Sequence, residues 1–118
     1  MEVRSRDDAE AFTTLDGSVI RVLLDAARGA RNQSLAEATL DAGGSTKRHR
    51  HPRTEELYVL LEGTGELEVD GETRRVGPGD AILIPPGTPH QITASTERPL
   101  RFLCCCAPPY SDDDTVFD

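Results

Sequence analysis

All three histidines of this 118-residue chain lie in two short blocks of sequence, each of which begins with a glycine. The first block contains His49 and His51, with Glu56 following shortly after, and His90 ends the second block. Residues two apart on a β-strand leave the same face, so the imidazoles of His49 and His51 would point the same way. Three neutral imidazoles and one carboxylate suit a divalent transition metal ion such as Mn, Fe, Ni, Co or Zn. The spacing therefore predicts a site for one such ion.

Four protein ligands on a six-coordinate ion leave two positions open, which chemistry on a bound substrate or on dioxygen requires. The ion and Glu56 together would carry a charge of about +1, which favours substrates with a carboxylate, an enolate or a hydroxyl. Two further residues are candidates to act on a substrate. Lys47 has the strand parity of His49 and would either hold an anionic substrate or lie in a solvated loop. Tyr58 has the parity of Glu56 and would either donate a proton or form part of a barrel wall.

Short strands must position these side chains. Apolar or alternating runs separated by glycine and proline occur at residues 18–24, 33–40, 57–61, 65–69, 72–76, 81–84, 90–93 and 100–107. The Asp70-Gly71 pair between two of these runs is typical of a two-residue hairpin turn. Many short strands at close spacing predict an all-β barrel or sandwich. The only candidate helix lies near Asp7–Phe12.

The two histidine blocks resemble the two sequence motifs of the cupins. The first reads Gly43-x5-His49-x-His51-x4-Glu56-x6-Gly63, and the second reads Gly79-x5-Pro85-x-Gly87-x2-His90. The resemblance implies a single-domain jelly-roll (cupin) β-barrel with the metal inside, and it puts His49, His51, Glu56 and His90 at the four ligand positions. The six-residue gap to Gly63 selects Glu56 over its neighbour Glu55. The chain departs from the pattern at Ala94, where the second motif usually has Asn.

This barrel is expected to occupy residues 18–107, after an N-terminal segment of residues 1–17. The C-terminal tail of residues 108–118 is acidic and is expected to be loosely ordered, unless Tyr110, Val116 and Phe117 dock on the barrel. Leu57, Val59 and Leu61 would face away from the metal if Glu56 faces it. They need cover from a second sheet or a second subunit, so we expect a homodimer.

Composition excludes several partners and compartments. The net charge of −8 argues against nucleic acid, because neutralising phosphates needs clustered Lys and Arg. We expect no membrane partner, since no apolar run approaches the roughly 20 residues of a spanning helix. The charged N-terminus does not resemble a secretory signal, which favours a cytoplasmic location.

The adjacent thiols of Cys104, Cys105 and Cys106 point to alternate faces of a strand and cannot easily bridge one another. They are either a redox or metal cluster or small buried apolar residues. In the second case Cys104 and Cys106 would share a pocket wall with Phe102.

For function, the resemblance implies a small metal-dependent enzyme acting on a small organic substrate. A dioxygenase-type oxidoreductase and a sugar or enediol isomerase are both consistent with the ligand set, and the open coordination positions favour the dioxygenase. The alternative is a non-catalytic module that binds a metal and a metabolite.

Overall fold

The computed structural model describes all 118 residues, and its regular structure consists of strands and three single 3-10 turns. The strands are β1 (Ala11–Thr13), β2 (Val19–Leu24), β3 (Ser34–Leu40), β4 (His49–Arg50), β5 (Glu55–Glu62), β6 (Gly65–Val69), β7 (Glu72–Val76), β8 (Ala81–Ile84), β9 (His90–Ala94), β10 (Leu100–Ala107) and β11 (Val116–Phe117). The 3-10 turns are Arg6–Asp8, Ala26–Arg28 and Asp112–Asp114. No helix of the chain has the length and apolar character needed to cross a membrane.

Two antiparallel sheets face each other. The larger has the strand order β1-β2-β3-β10-β5-β8, and the smaller has the order β11-β4-β9-β6-β7. Consecutive strands often lie in different sheets, so the chain crosses repeatedly from one sheet to the other, as in a jelly roll. The predicted all-β jelly-roll barrel is confirmed.

Alternating burial explains why the strands were predictable. In β5, Glu56, Tyr58 and Leu60 are buried, and the residues between them are exposed. The predicted hairpin is also present, with Val69 opposite Glu72 across the turn. Both turn residues have positive φ angles, 51° at Asp70 and 86° at Gly71, as a two-residue turn of this kind requires.

The predicted helix near Asp7–Phe12 is wrong. Residues 6–8 form a single 3-10 turn closed by a hydrogen bond from the Ala9 N–H to the Arg6 carbonyl, and the chain then extends into β1. Pairing of β1 with β2 satisfies the backbone there, so tertiary contacts override the weak local preference for a helix.

The C-terminal tail docks on the barrel and adds a strand to the smaller sheet. Phe117 pairs with His49 in the register between β11 and β4, and Val116 pairs with Arg50. Of the two alternatives weighed for the tail, the ordered one is therefore correct. The tail covers one end of the barrel beside the histidines.

The barrel interior is divided into a packed end and an open end. The packed end contains the buried apolar residues Ala38, Leu40, Tyr58, Leu60, Leu67, Val76, Ile84, Ile92, Ala94, Leu100 and Phe102. The open end holds a cavity of about 110 Å³. Tyr58 and Phe102 belong to both, so the top of the core is the floor of the cavity.

A buried charge on the other face of the larger sheet yields a stability prediction. The carboxylate of Glu37 in β3 accepts hydrogen bonds from Arg6 Nε at 3.0 Å and from Arg101 Nη1 at 3.1 Å. Burial raises the pKa of Glu37, but the two guanidinium groups more than offset this and lower it overall. A carboxyl whose folded pKa is depressed stabilises the fold above its unfolded pKa, and this stabilisation is lost as the pH falls through the folded pKa.

We expect Glu37→Gln to lower the free energy of unfolding by about 1–3 kcal/mol at neutral pH, because two guanidinium groups lose their charged partner. Urea denaturation measures the free energy of unfolding. The difference in this free energy between the variant and the unsubstituted protein should become smaller below about pH 4, because Glu37 of the unsubstituted protein is then protonated. Glu62→Gln is the matched control, since the exposed Glu62 side chain forms an ion pair with Arg101 alone. An equal loss of stability in both variants would contradict the assignment.

Candidate metal centre

The three histidines meet on one inner wall of the barrel. His49 lies in β4 directly opposite His90 of β9, and His51 follows β4 by one residue. One ring nitrogen of each histidine lies within 4.8 Å of the others. All three side chains are buried, and Glu56 extends from β5 in the other sheet toward them. The strand parity predicted for His49 and His51 is therefore present in the fold.

Backbone carbonyls fix the orientation of each imidazole. The Nδ1 atom of His49 lies 2.7 Å from the carbonyl oxygen of Lys47, and that of His90 lies 2.9 Å from the carbonyl oxygen of Thr88. The Nδ1 atom of His51 lies 3.1 Å from the carbonyl oxygen of Asp114 in the tail. A carbonyl only accepts, so each Nδ1 carries a proton, and in the neutral form of each ring Nε2 keeps its lone pair. This is the tautomer that binds metal through Nε2.

The Glu56 carboxylate faces the Nε2 atoms of two of these imidazoles. Its Oε1 atom lies 3.4 Å from His51 Nε2 and 3.3 Å from His90 Nε2, while its Oε2 atom accepts a hydrogen bond from the Cys106 thiol at 3.3 Å. Glu55 is exposed on the other face of the strand. Glu56 Oε1 and His90 Nε2 are buried and have no hydrogen-bond partner.

The charges of these groups favour a cation. Burial raises the pKa of Glu56, but the His51 and His90 rings, which when protonated would donate hydrogen bonds to it and carry positive charge, outweigh burial and lower the pKa to about 2. Burial lowers the pKa of His51, but Glu56 outweighs it and raises that pKa overall. Burial and the nearby His90 lower the pKa of His49. The cluster therefore holds an ionised carboxylate with at least one imidazole that resists protonation. Buried polar atoms without a partner are costly, and a divalent transition ion would satisfy both the orphaned oxygen and the imidazole lone pairs.

The cavity lies beside this cluster and is largely apolar. Its floor and walls include Phe102 of β10, Ile20 and Val22 of β2, and the thiols of Cys104 and Cys106. The cysteines are unpaired. Burial, followed by the charge of Glu56, raises the thiol pKa values of both wall cysteines. Cys104 and Cys106 therefore lie in the cavity wall with Phe102, as the second of the two sequence alternatives predicted.

Of the two further candidates from the sequence, only Tyr58 lines the cavity. Its ring centroid lies 6.2 Å from that of His90 and 4.8 Å from that of Phe102. Burial and the Glu56 carboxylate raise the Tyr58 pKa well above its usual value, so the hydroxyl keeps its proton. Lys47 is exposed, and its ammonium lies 5.9 Å from the ring centroid of Phe117, away from the cavity lining.

Sequence reasoning missed two acidic residues that line the cavity, Asp16 and Asp25. Asp16, in the turn between β1 and β2, has its Oδ1 held by the backbone N–H and hydroxyl of Ser18. Its Oδ2 lies 3.8 Å from His49 Nε2. The residue is one of many acidic turn residues in the sequence, and only the fold brings it to the histidines. Tyr110 and Thr115 of the tail also line the cavity and were missed for the same reason.

Comparison with known proteins agrees with this geometry. An uncharacterised protein of Methanocaldococcus jannaschii is 46% identical over 111 residues, which cover 92% of this chain and 88% of that protein. The structure of the polyketide cyclase RemF from Streptomyces resistomycificus superposes with a TM-score of 0.81 at 31% identity, over 97% of this chain and 89% of that one. The quercetin 2,3-dioxygenase of Bacillus subtilis is 36% identical over 75 residues, which are 61% of this chain and 22% of that enzyme.

A family model described as the cupin domain matches residues 36–106. The match includes both histidine blocks, the glutamate between them and the strands that carry them. The resemblance of the two motifs is thereby confirmed, and the chain belongs to the cupin family.

Proposed function

We propose that this protein is a metal-dependent cupin enzyme that acts on a small, largely apolar organic substrate carrying an enol or phenol oxygen. One divalent transition ion would be held by His49, His51, His90 and Glu56. The observation that carries the proposal is the convergence of the three histidines on a carboxylate oxygen without a hydrogen-bond partner, with His49, His51 and Glu56 lining a largely apolar cavity.

The cavity favours this substrate class over sugars. A sugar needs many hydrogen-bonding groups around it, whereas aromatic and aliphatic side chains such as Phe12, Ile20 and Phe102 surround much of this cavity. Asp16 adds a second carboxylate beside the ion site, so the charge of ion, Glu56 and Asp16 would be about zero. This weakens the preference for carboxylate substrates that the ligand set alone predicts.

When bound, a divalent ion supplies Lewis-acid polarisation of a substrate oxygen and, for Fe or Mn, access to redox chemistry with dioxygen. The protein's own groups would complete the site. Asp16 Oδ2 is free to accept a hydrogen bond from a substrate hydroxyl, since Ser18 holds the other oxygen. The protonated Tyr58 hydroxyl can donate a hydrogen bond to an acceptor at the cavity floor. The apolar walls exclude water from reacting groups.

We expect the purified protein to bind close to one divalent ion per chain, and Glu56→Gln to weaken binding by more than about 100-fold. Replacing the carboxylate by an amide removes the only anionic ligand at an unchanged side-chain volume. Competition with a chromophoric chelator measures the affinity, and the double substitution of His49 and His51 by Ala should abolish retention.

Glu55→Gln is the matched control, because it makes the same chemical change on the exposed face of β5. It should bind the ion as the unsubstituted protein does. A folded protein that takes up no ion would refute the proposed function, and equal losses in the Glu55 and Glu56 variants would refute the ligand assignment.

Dioxygenase chemistry is the first reaction class to test, because four protein ligands leave two coordination positions for substrate and oxygen. The similarity to the quercetin 2,3-dioxygenase of Bacillus subtilis supports this choice. We expect the Fe- or Mn-loaded protein to consume oxygen with at least one member of a panel of catechols, flavonols and 1,3-diketones. An oxygen electrode measures the uptake, and Glu56→Gln should remove it.

A second candidate is removal of a proton beside a carbonyl, followed by isomerisation or ring closure. The similarity to a polyketide cyclase along nearly the whole chain favours it. The two reactions separate under argon, where oxygenation stops and enolisation continues. Exchange of the substrate C–H for deuterium without oxygen, followed by NMR, would assign the protein to this second class. Metal-loaded protein that binds panel members and transforms none, with or without oxygen, would identify a binding module and contradict the enzyme proposal.

We also propose that the protein is a homodimer, formed through an apolar patch on the outer face of the larger sheet. The patch consists of Leu57, Val59 and Leu61 of β5 with Ala81 and Leu83 of β8. Leu57 lies opposite Leu83, and Val59 lies opposite Ala81. Leu57 and Leu83 are 44% and 56% exposed. No side chain in the patch is charged, so two copies of this acidic chain can meet there without repulsion, as a two-fold dimer requires.

Leu83→Asp should shift the protein from dimer to monomer, because it places a charge in the middle of each half of the interface. Sedimentation equilibrium measures the mass. Leu15→Asp is the control, since Leu15 is also exposed and lies in a loop outside the patch. A monomeric unsubstituted protein, or a Leu83→Asp variant that stays dimeric, would contradict the proposal.

A further inference from the structure

The C-terminal segment crosses from one sheet to the other over the open end of the barrel. We call residues 108–118 the C-terminal strap. The strap leaves β10 in the larger sheet, and near its start the Tyr110 N–H donates to the Ser34 hydroxyl at 2.9 Å. It ends as β11 beside β4 in the smaller sheet. Between these points Tyr110 and Thr115 line the cavity, so the strap is part of the candidate site.

The three histidines differ in what orients them. His49 and His90 each donate Nδ1–H to a carbonyl two residues earlier, within their own loop. His51 instead donates to the carbonyl of Asp114, 63 positions away, and its Nδ1 also lies 3.3 Å from the Thr115 hydroxyl oxygen. Two ligands are therefore oriented by their own motifs, whereas the third depends on the strap.

The Asp114 side chain attaches the strap to the turn that joins His51 to Glu56. Its Oδ1 accepts from the Arg53 N–H at 3.1 Å, and its Oδ2 accepts from the Thr54 N–H at 3.0 Å. Arg53 Nε adds an ion pair at 3.3 Å. The side chain is buried, although neighbouring Asp112 and Asp113 are exposed. Asp114 thus holds His51 through its backbone and the following turn through its carboxylate.

We propose that Asp114 is a positioning residue for the candidate metal centre, and that docking of the C-terminal strap fixes the tautomer and ring orientation of His51. The inference rests on the proposed function for its purpose, since a fixed Nδ1–H tautomer matters because it leaves Nε2 free for an ion. If the strap detaches, His51 loses both acceptors at Nδ1, and the proton can move to Nε2, where it blocks coordination. The strap then controls the affinity of the centre.

A purely structural role for Asp114 would predict a different result. If the carboxylate only attached the strap to the Arg53–Thr54 turn, its loss would lower the stability of the protein and leave the His51 tautomer unchanged. The two roles separate in the metal-free protein, because the ring-nitrogen shifts of ¹⁵N-labelled histidine report which nitrogen carries the proton. The spectra are to be recorded at alkaline pH, where the imidazoles are neutral.

The test compares Asp114→Ala and Asp114→Asn with the control Asp113→Ala, whose carboxylate is exposed and makes no hydrogen bond. We expect Asp114→Ala to give a mixture of His51 tautomers while His49 and His90 keep their signals. Affinity for Zn²⁺, from chelator competition, should fall by about 10–100-fold, the usual effect of losing an outer hydrogen bond to a ligand. The control should match the unsubstituted protein in both measurements.

Asp114→Asn decides the question if the Ala variant does not fold. An amide has one acceptor oxygen, so its NH₂ group would face either the Arg53 or the Thr54 N–H, and we expect a smaller change of the same kind. Tautomer and affinity equal to the control in the folded variants would overturn the inference. An unsubstituted protein that binds neither Zn²⁺ nor any other divalent transition ion would refute the proposed function. The spectra of the metal-free protein would still test the role of the strap on their own.

Discussion

A buried carboxylate in an apolar barrel must be matched by nearby groups, and Glu56 imposes this requirement on the whole structure. An ionised carboxylate that leaves water without a partner is strongly destabilising. Here one carboxylate oxygen of Glu56 accepts a hydrogen bond from the Cys106 thiol. The other oxygen faces His51 and His90 and has no hydrogen-bond partner. The three imidazoles match the charge only in part, because burial and the charge of His90 lower the pKa of His49, so the arrangement is suited to a bound cation. The strands that carry these residues belong to both sheets, and closing the barrel brings them together.

Closing the barrel also gives the interior two parts: a packed end that stabilises the fold and an open end that contains the candidate site. A chain of 118 residues has a small core, and a cavity removes packing contacts from it. The structure confines the cavity to one end and packs the other, with Tyr58 and Phe102 serving both. The short terminal strands β1 and β11 then cover the open end, beside the candidate ligands.

Local patterns were sufficient to predict eight of the eleven strands, and the motif resemblance selected the four candidate ligands. The β-rich run at residues 57–61 predicted β5, the motif spacing selected Glu56 over Glu55, and the Asp70-Gly71 pair predicted the hairpin of β6 and β7. These signals are contained within a few residues, which is why they can be read from one sequence. The helix near Asp7–Phe12 failed because pairing with β2 decides the conformation there. Asp114 was not identified because its partners lie about 60 positions away, and no spacing rule connects them.

The division between predictable and unpredictable residues follows the division between binding an ion and selecting a substrate. Residues 36–106, which match the cupin model, contain all four candidate ligands. Several cavity residues lie outside that range, among them Phe12, Asp16, Tyr110 and Thr115. From the ligands alone the site would carry about one positive charge, and Asp16 brings it close to neutral. The family motifs therefore explain how an ion would be held. The β1–β2 hairpin and the C-terminal strap would then influence which molecule can approach the ion, because they supply Asp16 and part of the cavity wall.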